Sequence, residues 1–358
     1  MPLSDLFDHM KYGHAYIRGD VAGEDLSERE LRDLTAVRTS FAGASLHNAK
    51  LSSMSFLECD FAGCDFGGSD LRKCQFVHCN LQGARFGSAS LEKSALVGCD
   101  ADRSSLRGGR AFMTSFMRTS LRDADWHGVS IEKSMLMECA MERIDLSEGK
   151  LRNVGVTAAD LRTANLDKLD CDTIMLMEAD LSNRDLRSLT LARANLMKTS
   201  FVGANLAGMD LSGSIFKESN LQRADLSGAK ASMALFAGAD LSGAKLRAAD
   251  LSLANFEGAI LLAADFGGAK LDLAGLNSAN AAAARFDGAD LTRTRFAYTD
   301  LKGAVFSGAR LNQTDLHCAL IEGLLSDGAS GSTLPTDQAR AIAELYDPRR
   351  IAPGDAGR

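Results

Sequence analysis

The chain has 358 residues and a formal charge of −7, from 40 Lys and Arg against 47 Asp and Glu. That balance gives no basic face for nucleic acid, and no run of 18 apolar residues is present to span a membrane. Asp5 and Asp8 stand where a secretion signal would carry a basic and then an apolar stretch, so a cytoplasmic protein is expected.

Residues 1–23 hold no clear register and are read as a short helix and a lead-in coil that cap a repeat array, since an open array end exposes core and unpaired backbone. From Leu26 onward nearly every fifth residue is large and apolar: Leu26, Leu31, Ala36, Phe41, Leu46, Leu51, Phe56, and so on to Leu311, Leu316 and Ile321. Sixty positions lie in this frame without insertion, and all but six are Leu, Phe, Ile, Met, Val or Trp. The residue two places earlier is usually small, and the one between is most often Asp or Asn, as in Ala239-Asp240-Leu241-Ser242-Gly243. A period of five fits neither the strand period of 2.0 nor the helix period of 3.6. It suits a chain that turns a corner every five residues, pointing one large and one small side chain inward. Four such units close a coil of twenty residues. Residues twenty apart should then stack, and Phe56, Phe76, Phe116, Phe216, Phe236, Phe256 and Phe296 fall in one column, Phe66, Phe86, Phe266, Phe286 and Phe306 in another.

Between about 100 and 200 the pattern weakens. Ala101, Ala111 and Cys171 underfill central positions, Trp126 and Met141 bring bulk, and Ile144, Leu169, Ile174, Arg184 and Leu189 occupy sites that want small residues. Residues 324–332 are read as a flexible linker. Pro335 to Tyr346 is read as a short helix with Ala339, Ile342, Ala343 and Tyr346 on one side, either covering the end of the array or binding a partner. The segment from Asp347 on is expected to lack order.

This register resembles the pentapeptide-repeat family, whose consensus is A-(D/N)-L-x-x, over residues 24–323. The resemblance implies an all-β solenoid, a right-handed quadrilateral β-helix of about fifteen 20-residue coils, with short helical elements at the ends and residues 324–358 as linker, helix and tail.

The chemistry of catalysis is missing from the pattern. Cys59, Cys64, Cys74, Cys79, Cys99 and Cys139 occupy the small inward position, where Cys serves as a larger Ala or Ser. The six His show no ligand spacing, the Asp residues lie on the repeat lattice, and no phosphate-binding glycine loop is present. No enzyme activity, cofactor, metal or small-molecule substrate is expected.

Outward positions carry no fold requirement, so patterns there point to function. One outward column reads Asp210, Lys230, Asp250, Lys270, Asp290, Arg310, and another Asp225, Lys245, Asp265, Arg285. The best-known activity in the family is that of acidic rods that imitate DNA and bind DNA gyrase and other type II topoisomerases. These columns neutralise themselves, which leaves the DNA mimic as the alternative reading. A second column is apolar: Val37, Leu57, Val77, Val97, Met117, Met137, Thr157, Met177, Met197, then Lys217. Met135, Met175, Ile215 and Leu235 lie on the same side. An aligned apolar stripe of this extent marks an interaction site, and Met suits adaptable surfaces. The expected interface residues are therefore Val77, Val97, Met117, Met135, Met137, Met175, Met177 and Met197, meeting either another protein or a second copy in a homodimer. Long members with a periodic apolar face resemble accessory proteins of bacterial type VI secretion, which would make the chain a secretion accessory.

Overall fold

Because each inward residue is followed by a corner, one N–H and one C=O close the turn within the unit, as from Ala244 N–H to Leu241 O at 2.9 Å, and most of the remaining backbone groups go to the coils above and below. A computed structural model, which describes residues 3–12 and 14–345, shows this ladder directly. The Leu26 N–H donates to Ser45 O at 2.7 Å and the Ser45 N–H to Glu24 O at 2.9 Å, and the same bonds recur down the chain. The result is a parallel β-solenoid of about 16 turns, matching a quadrilateral β-helix. It divides into two compact units, Met1–Asn205 with Met209–Asn220, and Leu206–Gly208 with Leu221–Arg358.

The recurrent Asp and Asn have a local purpose. Asp240 Oδ1 accepts the Ser242 N–H at 2.9 Å, and Asp60, Asp145, Asp180 and Asp300 cap the N–H two residues on in the same way. These are Asx turns, which shape the corner. The next residue turns the chain through left-handed backbone, as at Gly243 (φ 64°), where the missing Cβ removes the steric cost.

In the first unit the central large residues are buried and stack as the twenty-residue spacing predicts. Phe56 and Phe76 lie 4.8 Å apart, as do Phe66 and Phe86. Helix α1 (Leu3–Tyr12) precedes the ladder, with Leu6 fully buried. The register begins earlier than residues 24–26: Tyr16 and Ile17 already pair with Ala36 and Val37, and Tyr16 is fully buried. A tyrosine in the core column hid this from a pattern of Leu and Phe. Its ring fills the space that a side chain at Gly19 would need.

The irregular stretch near residue 184 has a definite structure. Arg184, at a small-residue position, sends its guanidinium to Arg162 O at 3.0 Å and Ala164 O at 2.7 Å. The neighbouring Arg143 N–H donates to Thr163 Oγ1 at 3.0 Å. Side chains thus replace backbone partners where the ladder departs from its pattern, which keeps these polar groups satisfied. Inside, the short Cys171, together with Leu and Val, leaves an apolar void of about 20 Å³ lined by Met141, Val156, Leu166, Cys171 and Leu189.

In the second unit Phe236 stacks on Phe256 and Phe266 on Phe286, each at 4.8 Å. Residues 324–332, expected to be a linker, continue the coil: Leu325 bridges Val305 and Ser330 bridges Arg310. Gly328 takes a corner at φ 70°, so the small residues that looked flexible are corner residues. Helix α2 spans Gln338–Leu345, and Asp337 Oδ1 caps the Arg340 N–H at 3.1 Å. Its apolar side is not what holds it, for Ile342 is 70% exposed. It leaves Leu320, Ile321 and Leu325 near the coil end exposed. Polar contacts hold it instead. Glu344 accepts from the Tyr298 hydroxyl, from Arg340 Nε at 2.7 Å and from His317 Nε2 at 3.1 Å. The expected contribution of Tyr346 and the state of the segment from Asp347 lie outside the described residues.

The Tyr298 and Arg340 hydrogen bonds hold the Glu344 carboxyl down at about 2. A depressed carboxyl stabilises the docked helix above its ordinary pKa near 4.5, and that contribution is lost as pH falls toward about 2. Amide exchange across 338–345, followed by mass spectrometry, should therefore accelerate as pH drops through this window beyond the intrinsic pH effect. At neutral pH, Glu344→Gln should speed trypsin cleavage after Arg340.

Candidate protein-docking face

One side of the coil in the first unit is a nine-stranded parallel sheet, from Tyr16–Ile17 through Thr35–Val37, Ser55–Leu57, Gln75–Val77, Ala95–Val97, Ser115–Met117, Met135–Met137 and Gly155–Thr157 to Met175–Met177. Its middle residues are buried, so the residues on either side point out. The registers place Val77 beside Val97, Val97 beside Met117, Met117 beside Met137, Met137 beside Thr157 and Thr157 beside Met177. The column named from the sequence is thus a physical row on one sheet. Val77, Val97, Met117, Met137, Met177 and Met197 are half-buried, Leu57 is exposed, and the row turns polar at the exposed Lys217.

The parallel column adds Met135 and Met175, with Gly155 between them. A Cβ at Gly155 would meet Met135 Sδ at 2.5 Å and Met175 Cε at 3.4 Å. The two thioethers therefore fold over bare backbone and level the middle of the face. Ile17, 50% exposed, extends the row by one strand beyond the sequence reading, which began at Val37 because the register was lost before Leu26.

Behind the face a column of short donors clamps it. Cys59 Sγ donates to Ala36 O at 3.4 Å, Cys79 to Phe56 O at 3.5 Å, Cys99 to Phe76 O at 3.4 Å and Cys139 to Phe116 O at 3.5 Å. Thr119 Oγ1 makes the same bond to Leu96 O at 3.1 Å. Cys and Thr are interchangeable here because each offers a small donor to a strand carbonyl. Burial pushes the Cys74 and Cys171 thiols up to about 12 and Cys139 to about 11, so they stay protonated and poorly nucleophilic. Among the described residues no group of three or more His, Cys, Asp or Glu is placed to hold a metal ion.

The strands of this face carry no charged residue, and ion pairs lie beside it and on the other sides of the coil: Arg38 with Glu58 at 2.7 Å, Lys93 with Glu92 at 3.5 Å and Lys133 with Glu132 at 3.4 Å. In the second unit the alternating columns are also real. Lys230, Asp250, Lys270, Asp290 and Arg310 bridge in turn, and Arg310 reaches Asp290 at 3.1 Å. The companion column holds Asp225, Lys245, Asp265 and Arg285, with Arg247 bound to Asp265 at 3.0 Å. Leu235 of the sequence reading is 41% exposed in this unit. Further apolar groups there were missed, among them Met233, Leu253 and Leu273, exposed at corners with φ near 60°. Their signal was large apolar residues at the position where Gly243 and its equivalents stand.

A pentapeptide-repeat family model matches residues 179–217, 194–230, 219–258, 234–272 and 284–319, and a related pentapeptide-repeat model matches 51–95. Among solved structures the chain is similar to HetL, a pentapeptide repeat protein involved in heterocyst differentiation regulation from the cyanobacterium Nostoc sp. The identity is 26% over 78% of this chain and 94% of that one, with a TM-score of 0.24. It is also similar to QnrB1, a plasmid-mediated fluoroquinolone resistance protein, at 17% identity over 56% of this chain and 92% of that one, with a TM-score of 0.26. A pentapeptide repeat protein of the Arabidopsis thaliana thylakoid lumen matches at 27% identity over 30% of this chain and 68% of that one, with a TM-score of 0.16. No curated protein matches the sequence. Among the described residues no helix is long and apolar enough to cross a membrane.

Proposed function

We propose that this chain, which belongs to the pentapeptide-repeat family, is a non-catalytic docking scaffold that captures a protein on its apolar methionine and valine face. The observation that carries this reading is the alignment of Val77, Val97, Met117, Met137, Met177 and Met197 in one outward row, joined by Met135 and Met175. Nothing in the coil requires these residues. Many outward sites elsewhere in the array hold Asp, Lys and Ser, and apolar groups lined up in water cost solvation that a partner recovers. Behind them the Cys and Thr clamps keep the sheet rigid, so little conformational entropy is lost on binding.

A DNA mimic would need contiguous negative charge, and the Asp290–Arg310 and Asp265–Arg247 pairs work against it. Handling of a secretion effector would use the same apolar face.

Replacing Met137 and Met177 together by Lys puts two charges in the middle of the face without touching the core. The expected result is loss of the captured partner in pull-down, by roughly a hundredfold in affinity for two desolvated charges, with circular dichroism and thermal midpoint unchanged. Retention of every partner, with unchanged solution mass, would refute the docking face.

A further inference from the structure

We infer that the occupant of this face is a second copy of the chain, laid antiparallel across it on a two-fold axis through Met137. The inference rests on the docking reading above and specifies its partner.

Spacing is the first argument. Rows on the face repeat every 4.8 Å or so, because the strands are hydrogen-bonded coil to coil. A helix laid along the rows repeats at about 5.4 Å, about 0.6 Å more, so it slips half a row after about four strands. Only a surface with the same repeat stays in register over all nine, and another copy of this sheet has it.

Size is the second. The seven rows that the axis lays on one another, Val77 to Met197, span six steps or about 29 Å, and about 13 Å of strand width gives roughly 380 Å² in projection before side-chain relief. Side-chain relief and the flanking corners add to this toward the roughly 600 Å² per partner at the low end of specific interfaces. Sheets also pack face to face readily, about 10 Å apart.

The order of residues chooses the arrangement. From Val77 the row reads Val, Val, Met, Met, Thr, Met, Met, at 77, 97, 117, 137, 157, 177 and 197. Two parallel copies in register would set Val on Val and Thr on Thr, leaving gaps, and Met on Met elsewhere. Turned antiparallel about Met137, the row sets Val77 on Met197, Val97 on Met177 and Met117 on Thr157, a large residue against a small one each time, which is how interdigitating layers fill space. In the neighbouring column the same axis sets Ala95 on Met175 and Gln75 on Asn195, amide to amide. Lys133 and Glu138 meet their own counterparts at the two corners, where the faces diverge and Glu132 already pairs with Lys133.

Cross-linking reads this arrangement directly. Cys59, Cys79, Cys99 and Cys139 are only 2–3% exposed, and Cys318 can be removed as Cys318→Ser. In that background a short bis-maleimide, spanning about the 10 Å between packed sheets, should convert Met137→Cys to a covalent dimer. Val97→Cys alone and Met177→Cys alone should stay monomeric on a denaturing gel, since each lies about 19 Å from its own counterpart. Their mixture should give the dimer band. Sedimentation of the untreated protein should give twice the chain mass. Self-linking of Val97→Cys would overturn the antiparallel pairing. A monomer at the highest soluble concentration, with no cross-link from any variant, would overturn the second copy as occupant. In that event the docking face itself is judged separately, by whether Met137→Lys with Met177→Lys loses a different captured protein.

Discussion

Trp126→Ala is expected to destabilise the first unit by about 3–5 kcal/mol, the range for truncating a buried large aromatic. Trp126 is 2% exposed and packs on Phe116 at 5.1 Å between ring centroids. From the sequence it looks too large and Ala101 too small. In the structure the two line the same residual void, only about 10 Å³, together with Leu96 and Phe116. The indole therefore occupies the space that Ala101 leaves empty, and the two irregularities offset each other. Urea unfolding of the variant should show the loss, and adding Ala101→Leu should recover part of it, a coupling expected of residues that share one cavity. Independent effects of the two substitutions would refute the compensation.

Gly155→Leu should have the opposite profile: a large effect on docking and a small one on stability. Gly155 is in strand conformation, so the backbone accepts a side chain. The conflict is above the sheet, where the new Cβ would displace the Met135 thioether, 2.5 Å away, and press on Met175. Both methionines lie on the outer surface and are free to swing outward, turning a level face into a ridge. Partner capture or self-association, measured by sedimentation or by pull-down, should weaken about ten- to a hundredfold, the equivalent of about 1.4–2.7 kcal/mol. The unfolding midpoint should stay within the scatter of surface substitutions, about 0.5 kcal/mol. A variant that binds as the parent does would mean that the partner does not read the level surface over Gly155.

The five-residue frame was enough to name the inward residues, the stacked phenylalanine columns and the outward apolar row. In a coil with one corner per unit, sequence position maps onto spatial position without ambiguity. Adjacent coils repeat every twenty residues, so Val97 beside Met117 is a statement of arithmetic before it is one of geometry. The same logic located the Cys column as core filling, though not its donation to strand carbonyls.

The ends and the irregular middle obeyed no such arithmetic. Tyr16 escaped notice because an amphipathic residue stands in a column of Leu and Phe, and residues 324–332 looked loose because Gly and Ser serve corners as well as linkers. Arg184 reads as a violation until its guanidinium is seen on two carbonyls. Helix α2 was legible as a helix, but not its polar attachment through Glu344, His317 and Tyr298. Periodicity determined what faces in and what faces out, because a hydrogen-bonded coil leaves each position one direction to point. Which outward groups level into a face, and which odd residues fill one another's space, depends on side-chain packing between residues far apart in the sequence, and only the folded coil decides it.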